Sequence, residues 1–306
     1  MAHPGTLHRY AKKLTAFEHA PQHSSSTNNA SNLILWIGGL GDGPLSVHYP
    51  TAIAKALPSN WSLAEVLLSS AYDGWGTGSL ARDAKEIASC VSYFKDLRHS
   101  IKIVLMGHST GSQDLMEYLV GPNSDSHIPV EGAIFQAGVS DRQGWAAVVA
   151  DDEELKKSLK DTIELAKKWV EQGDGDAILQ RKGNKMLEMF ESPCTAYRAN
   201  SLLSYGGDDD YFSTDFPDEV YKNTFGKIPK NTAVMFLWGS EDPYIPTGVD
   251  KWNTLKKWAG FVKEGGAKVD EANGGVVKGA THNLNGDPED VVQDLVQRVV
   301  RFVEGI

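Results

Sequence analysis

Apolar and polar positions change along the chain in a regular way from residue 33 onward. Strands buried on both faces are predicted by short continuous apolar runs, which occur at 33–37, 64–68, 101–106, 130–137 and 233–238, with a last one near 267–277. Helices are predicted by apolar residues that recur on one face, at 80–94, 113–120, 250–261 and 288–304. Strands that alternate with helices predict an α/β fold with a mostly parallel central sheet flanked by helices.

This alternation stops between residues 141 and 230, where the pattern is helical and no run has the character of a strand. A structureless connection of such length would be unusual in a compact domain. We therefore expect a helical lid inserted between strands at 141–230. The rest of the chain is expected to be an N-terminal segment at 1–30 and a core formed by 31–140 and 231–306.

The five residues Gly107-His108-Ser109-Thr110-Gly111 match the pattern G-x-S-x-G. They follow a predicted strand directly and precede a predicted helix, which is the context of a nucleophile elbow. In that turn the serine has a strained backbone, and the glycines leave room for the neighbouring strand and helix. The pattern therefore predicts the α/β-hydrolase fold, with Ser109 as the nucleophile.

A serine hydroxyl needs a base, and His282 lies where this fold provides one, in the loop between the last strand and the last helix. The other histidines either precede the predicted sheet or lack such a context, and the tight turn should direct His108 away from its neighbour Ser109. Asp242 follows the strand at 233–238 and is expected to orient His282, while Glu241 is interpreted as a solvated loop charge. The order Ser, Asp, His along the chain is that of the fold.

An acyl-transfer site also needs donors for the oxyanion, which are usually backbone amides. We expect one from Thr110, the residue after the nucleophile, and one from Leu40 in the glycine-rich turn after the strand at 33–37. The alternative is a glycine-rich turn that serves packing alone. A dinucleotide site is disfavoured because Gly39-Leu40-Gly41-Asp42-Gly43 lacks the third glycine spacing and a helix that opens on it.

Two further clusters lie in segments expected near the pocket. An apolar acyl or alcohol site could be formed by aromatic residues, although such residues more often serve packing: Tyr72, Trp75, Tyr205, Tyr211 and Phe212. The run Asp208-Asp209-Asp210 could bind a metal or a cationic substrate, or it could be a solvated acidic loop of the lid.

Composition limits the possible binding partners of the chain and its expected cellular location. The formal net charge of −10 argues against nucleic acid or an anionic membrane surface as a partner. No apolar run approaches the roughly 20 residues that span a bilayer. Two cysteines, Cys90 and Cys194, give no disulfide framework and favour a cytoplasmic protein. The chemistry of a serine, a histidine and an aspartate requires no metal and no cofactor.

The elbow with its continuation Ser112-Gln113-Asp114, together with residues 204–213, resembles an uncharacterised-domain family that is prominent in fungi and includes intracellular siderophore esterases. The resemblance runs from about residue 33 to the C-terminus. It implies that Ser109, Asp242 and His282 form the triad, and that the partner is a small-molecule ester, in particular a fusarinine-type hydroxamate siderophore whose ester bonds are opened. The residues themselves leave a generic carboxylesterase, a lactonase, a lipase-like hydrolase or a non-catalytic binding protein as alternatives.

Overall fold

The computed structural model describes residues 2–20, 31–190 and 192–306. In this part of the chain eight strands form one sheet, in the order β1-β2-β4-β3-β5-β6-β7-β8. The strands are β1 (Gly5–Arg9), β2 (Thr15–His19), β3 (Asn32–Ile37), β4 (Trp61–Val66), β5 (Ile103–His108), β6 (Gly132–Gln136), β7 (Ala233–Gly239) and β8 (Gly275–Val277). The α-helices are α1 (Tyr49–Ala56), α2 (Leu80–Leu97), α3 (Thr110–Val120), α4 (Asp141–Val148), α5 (Glu153–Glu171), α6 (Lys185–Met189), α7 (Ala196–Leu203), α8 (Asp218–Asn223), α9 (Lys251–Glu264) and α10 (Glu289–Glu304).

Strands β3 to β8 pair in parallel, as the alternating pattern predicts, because each is followed by a crossover to the next. Successive residues of these strands pack in different hydrophobic clusters, one on each face of the sheet. In β3, Leu33, Leu35 and Ile37 pack on the side of α2, α3 and α9, whereas Ile34 and Trp36 pack on the side of α1 and α10. Helices cover both faces, so the strands need apolar residues at every position.

The sequence-based start of the sheet at residue 33 is wrong, because β1 and β2 precede it as an antiparallel hairpin that pairs with β4. Polar contacts hold this hairpin: Glu18 accepts from Arg98 at 2.5 Å, and His19 lies 2.6 Å from Glu65. The apolar pattern is absent because β1 is mostly solvent-exposed. Of the predicted N-terminal segment at 1–30, Met1 and residues 21–30 lie outside the described residues.

Helices α4 to α8 lie between β6 and β7, in the stretch where the sequence pattern changes. Helices α5, α6 and α7 form most of a small apolar core, which also includes Trp75, whereas Tyr221 of α8 packs in the main core of the sheet. The last strand is shorter than expected, since a turn at Asp270–Gly274 separates β8 from Val269, which bridges to Val234. No helix within the described ranges has both the length and the hydrophobicity to cross a membrane.

The register of the sheet brings the carboxyl ends of its central strands together. Ile37 pairs with Gly107, His108 pairs with Gln136, and Gln136 pairs with Leu237. The loops that follow β3, β5, β6 and β7 therefore leave the sheet at one edge, which is where ligands bind in open α/β sheets.

Candidate active site

The turn between β5 and α3 has the strained geometry of a nucleophile elbow. Ser109 adopts φ 52° and ψ −123°, a conformation that costs energy for a residue with a side chain. A Cβ on Gly107 would lie 2.4 Å from the carbonyl oxygen of Gly111, and a Cβ on Gly111 would lie 2.4 Å from that of Ile37. Both glycines are therefore required by close backbone approach, and the turn lifts the Ser109 side chain above the sheet edge.

Ser109, His282 and Asp242 form one hydrogen-bonded chain, although the loops that carry them are far apart in sequence. The Ser109 hydroxyl lies 2.8 Å from Nε2 of His282, and Nδ1 of His282 lies 2.8 Å from Oδ2 of Asp242. The carboxylate can only accept, so Nδ1–H donates to it and Nε2 is left to accept from the serine. Asp242 is buried, and its second oxygen accepts from the Tyr244 amide at 3.0 Å. This arrangement can remove a proton from the serine as it attacks.

The loops that carry the acid and the base are fastened to each other. Glu241 donates its amide to the Ala280 carbonyl at 3.0 Å, and the Ser240 hydroxyl accepts from the Gly279 amide at 2.8 Å. A Cβ on Gly239 would lie 2.2 Å from the Ala280 oxygen, so glycine is needed for the loops to approach. Glu241 itself is exposed, which agrees with its interpretation as a solvated loop charge.

The turn after β3 lies directly against the nucleophile. A Cβ on Gly39 would be 2.7 Å from the Ser109 Cβ, and the Gly39 amide donates to Asp42 Oδ2 at 3.0 Å. The Leu40 amide donates to no acceptor among the described residues, and Thr110 opens α3, so its amide has no intrahelical partner. These two amides, the predicted oxyanion donors, thus belong to segments that border Ser109. Leu40 also lines the cavity that opens above Ser109.

His108 and Gln136 form a buried polar network beside the serine. Nδ1 of His108 donates to Gln136 Oε1 at 2.5 Å, and the Tyr49 hydroxyl donates to the same oxygen at 3.0 Å. The Gln136 amide in turn donates to the main-chain oxygen of His282 at 3.1 Å. Burial, with the nearby His282 as a second cause, lowers the pKa of His108 to about 4. His108 is therefore neutral near pH 7 and supports the site without competing for the proton.

A cavity of about 420 Å³ opens above Ser109. The polar and titratable part of its wall comprises Asp42, His108, Ser109, Ser140, Asp141, His282 and Asn283. The apolar part comprises Leu40, Val139, Trp145, Val148 and Tyr244. Asp141, Gly144, Trp145 and Val148 belong to the start of the helical insertion, so the insertion forms one side of this cavity. Its volume suits a small-molecule ligand.

The aromatic residues expected at the pocket are elsewhere, since the described lining of this cavity includes none of Tyr72, Trp75, Tyr205, Tyr211 and Phe212. Tyr72 is half exposed and donates its hydroxyl to the Pro44 carbonyl at 3.2 Å. Trp75 is buried edge-to-face against Phe190 in the core of the insertion. Neither ring lines the cavity above Ser109, so substrate contact by Tyr72 or Trp75 stays a prediction.

The other three aromatic residues also make structural contacts. Tyr205 is exposed and lies over the Arg142 guanidinium at 5.0 Å. Tyr211 donates to Glu117 at 2.9 Å, and Phe212 is buried in the main core. Tyr211 and Phe212 thus lie where the insertion meets α3 and the sheet, whereas Tyr205 contacts residues of the insertion itself.

Only Asp208 of the three consecutive aspartates is exposed, so the run is not a solvated acidic loop as a whole. Asp209 and Asp210 are buried, and each is paired with an arginine: Asp209 with Arg198 at 2.7 Å and Asp210 with Arg142 at 3.1 Å. Asp208 accepts from the Tyr197 hydroxyl at 2.5 Å. Within the described ranges no group of acidic, His or Cys side chains has the arrangement of a metal site. The segment instead ties α4 and α7 together.

A small polar cavity of about 20 Å³ lies behind the turn after β3, and Thr110, Asp83, Asp114 and Arg198 contribute to its wall. Oγ1 of Thr110 and one oxygen of each aspartate are buried without a hydrogen-bond partner among the described residues. Such a volume is about that of one water molecule, which would satisfy these atoms. Burial raises the pKa of Asp83 to about 7.

Sequence reasoning missed several residues of the site, namely Asp42, Gln136, Ser140, Asp141, Trp145, Val148, Tyr244 and Asn283. A signal existed for Gln136, because it is a polar residue at the end of an otherwise apolar strand. No comparable signal existed for Asp141 or Trp145, because their approach to Ser109 depends on how the insertion folds back over the sheet.

Solved structures show the same architecture. The chain matches the siderophore hydrolase EstB from Aspergillus fumigatus with a TM-score of 0.84 and 33% identity, covering 99% of this chain and 98% of that one. A soluble variant of monoglyceride lipase from Saccharomyces cerevisiae matches with a TM-score of 0.64 at 10% identity, covering 100% and 96%. The prediction of an α/β-hydrolase fold is confirmed.

Sequence similarity to fungal proteins covers nearly the whole chain. The chain is 32% identical to the fusarinine C esterase sidJ of Aspergillus fumigatus, covering 99% of this chain and 96% of that protein. It is 33% identical to an esterase of Emericella nidulans, covering 99% and 93%. The family described as protein of unknown function DUF1749 matches residues 1–304. The resemblance inferred from the motifs is therefore confirmed, and the chain belongs to the DUF1749 family.

Proposed function

We propose that the chain is a serine esterase in which Ser109 is the nucleophile, His282 the general base and Asp242 the residue that orients the base. The observation that carries this proposal is the continuous pair of 2.8 Å hydrogen bonds from the Ser109 hydroxyl through His282 to Asp242. It is supported by the strained elbow and by a cavity that opens on the serine.

The proposed reaction has two steps. Ser109 Oγ forms a bond to the ester carbonyl carbon while its proton passes to Nε2 of His282, and the oxyanion accepts from the amides of Leu40 and Thr110. When the bond to the leaving oxygen breaks, His282 gives its proton to that alcohol. Water then attacks the acyl-enzyme, with His282 as its base, and the carboxylic acid leaves as Ser109 regains its proton.

We propose siderophore esters of the fusarinine type as the substrate class. The support comes from relatives at 32% and 33% identity that cover the chain almost completely and are named a fusarinine C esterase and a siderophore hydrolase. Any iron in the reaction would be cargo of the substrate, so the protein's own groups carry out the chemistry. The insertion at 141–230 would act as the lid, because its residues Asp141, Gly144, Trp145 and Val148 line one side of the cavity.

We further propose a cytoplasmic location. Cys90 and Cys194 are both free and buried, which fits a protein that folds in a reducing compartment. Fractionation of the source cells, followed by detection of the chain with an antibody, would test this location.

The decisive test is to incubate the purified protein with fusarinine C, with and without bound iron, and to follow the products by liquid chromatography and mass spectrometry. Ser109→Ala serves as the control. Release of hydroxamate monomers by the wild type alone would support both the mechanism and the substrate. Cleavage of para-nitrophenyl esters without cleavage of fusarinine C would reject this substrate and leave a generic carboxylesterase. Cleavage of neither would reject the esterase proposal and favour a binding protein.

A further inference from the structure

The cavity above Ser109 has an unbalanced charge. Among its described lining residues, the acidic side chains are those of Asp42 and Asp141, and neither lysine nor arginine contributes to the wall. His108 does not offset them, because burial lowers its pKa to about 4. A carboxylate in a partly enclosed cavity attracts a cation more strongly than a carboxylate in open water does.

The two carboxylates differ in what they already bind. Both oxygens of Asp42 are used by its own loop: Oδ2 accepts from the Gly39 amide at 3.0 Å and Oδ1 from the Ser46 hydroxyl at 3.0 Å. Asp42 therefore shapes the turn beside the nucleophile. Asp141, in the first turn of α4, uses only Oδ2, which accepts from the Gln113 side chain at 2.8 Å. Its Oδ1 accepts no hydrogen bond from the part of the chain that the structure describes.

Within the described residues, Asp141 also lacks an ion pair of the kind that its acidic neighbours form with arginine. Arg142, the next residue, turns to Asp210 at 3.1 Å and also pairs with Asp215. Arg198 is held by Asp209 at 2.7 Å. Burial and the proximity of Asp209 raise the pKa of Asp141 to about 7. Asp209, Asp210 and Asp215 are thus paired with arginine, whereas Asp141 forms no ion pair among the described residues and interacts with Arg198 only at longer range.

We propose that Asp141 is a specificity-determining residue that binds a primary ammonium group of the ester substrate. This inference rests on the proposed esterase function and adds the chemical class of the substrate to it. An ammonium group has the donors that Oδ1 lacks, and it supplies the missing positive charge. The adjacent side chains of Trp145 and Val148 can pack against the carbon chain that carries the ammonium.

The alternative to ammonium binding is that Asp141 is a protonated carboxylic acid, which has no charge and only donates a hydrogen bond. Asn at this position resembles the protonated acid, since it keeps an acceptor for Gln113 and has a donor, but it has no charge. Asp141→Asn therefore separates the two roles. Asp161→Asn is the matched control, because it removes one negative charge from an exposed position on α5 in the same insertion.

Selectivity is measured with two pairs of esters that differ only in charge. The first pair consists of para-nitrophenyl esters of rigid cyclohexane acids that carry either an aminomethyl or an ethyl group opposite the carboxyl. The second pair places the difference in the alcohol, as acetates of an amino alcohol and of the alkanol with a methyl group in place of the amine. The quantity compared is the ratio of kcat/KM between the charged and neutral members, so effects common to both members cancel.

We expect the wild type and Asp161→Asn to prefer the charged member of at least one pair by about tenfold or more, the size of one partly buried charge-assisted hydrogen bond. Asp141→Asn should bring this ratio close to that of the uncatalysed reaction with hydroxide. Equal ratios in the wild type and Asp141→Asn would overturn the inference.

A binding measurement keeps the inference testable if no ester is cleaved, an outcome that would instead reject the proposed function. Calorimetry with Ser109→Ala should then show tighter binding of the charged ester than of its neutral partner. The double variant Ser109→Ala/Asp141→Asn should lose that difference, and an unchanged difference would contradict the role of Asp141.

Discussion

Replacing Arg198 by Met tests the buried ion pair that joins α7 to the aspartate run. Nη1 of Arg198 contacts both oxygens of Asp209, at 2.8 and 2.7 Å, and its Nε donates to the Trp75 carbonyl at 3.1 Å. The arginine and Asp209 are each 1% exposed, so water cannot replace these contacts. Met preserves much of the volume but leaves the Asp209 carboxylate with the Ser201 hydroxyl as its remaining side-chain partner.

Breaking a buried pair by removing one partner costs about 3–5 kcal/mol, because the other charge stays buried without compensation. This is a large part of the roughly 5–15 kcal/mol by which domains are stable. Urea denaturation, followed by tryptophan fluorescence, should give a free energy of unfolding lower by at least about 3 kcal/mol. The double variant Arg198→Met/Asp209→Leu should recover part of the loss, since Asp209 no longer leaves a lone charge, while Asp83, Asp114 and Asp141 still lack the positive charge of Arg198. A loss below about 1 kcal/mol in Arg198→Met would refute the reasoning, because only exposed pairs are worth so little.

Three further predictions concern the site and its surroundings. Asp242→Asn should lower kcat by about 10³–10⁴ and change KM little, because an amide at this position favours the wrong tautomer of His282. Stopped-flow and steady-state assays on the same ester measure both quantities. Near-normal turnover would mean that another residue orients the base. Gly111→Ala should destabilise the fold by about 1–3 kcal/mol, since its Cβ would lie 2.4 Å from the Ile37 oxygen; thermal unfolding checks it, and an unchanged Tm would show that the turn relaxes freely. The folded-state pKa of Asp83, about 7, exceeds the value of 3.8 for an unperturbed aspartate. The folded state therefore binds more protons between these values, and this residue's contribution to stability falls as pH rises through that window. Asp83→Asn should remove that decline, so the variant should gain about 3 kcal/mol of stability relative to wild type as the pH rises from 5 to 8. Parallel pH profiles of the two proteins would contradict this.

The parallel core and the three proposed catalytic residues could be predicted because their signals are local. Continuous apolar runs identify strands that are covered on both faces, and the glycines around Ser109 are required by backbone contacts within one turn. Asp242 and His282 each follow a strand, so the loop positions of the fold are enough to propose them. The hydrogen bonds that join them belong to the three-dimensional structure and not to any one segment.

The features that sequence reasoning missed depend on contacts between distant segments. The hairpin of β1 and β2 joins the sheet by backbone pairing with β4, and its side-chain contacts involve charged residues such as Glu18 and Arg98, which in sequence resemble a solvated surface. Asp209 resembles part of an acidic loop until Arg198, from a separate helix, is placed against it. Tyr211 and Phe212 lie in a loop near the pocket, but the direction in which a loop turns its side chains is set by packing and not by composition.

The central claim is that Ser109 forms a covalent acyl-enzyme, and mass spectrometry of the trapped intermediate tests it most directly. The protein is mixed with para-nitrophenyl acetate, quenched in acid within the first turnover, and digested. The account predicts a burst of nitrophenol close to one equivalent per chain and an acetyl group on the peptide that contains Ser109, with both absent in Ser109→Ala. Hydrolysis that persists in Ser109→Ala, or an acetyl group located on another residue during turnover, would contradict it.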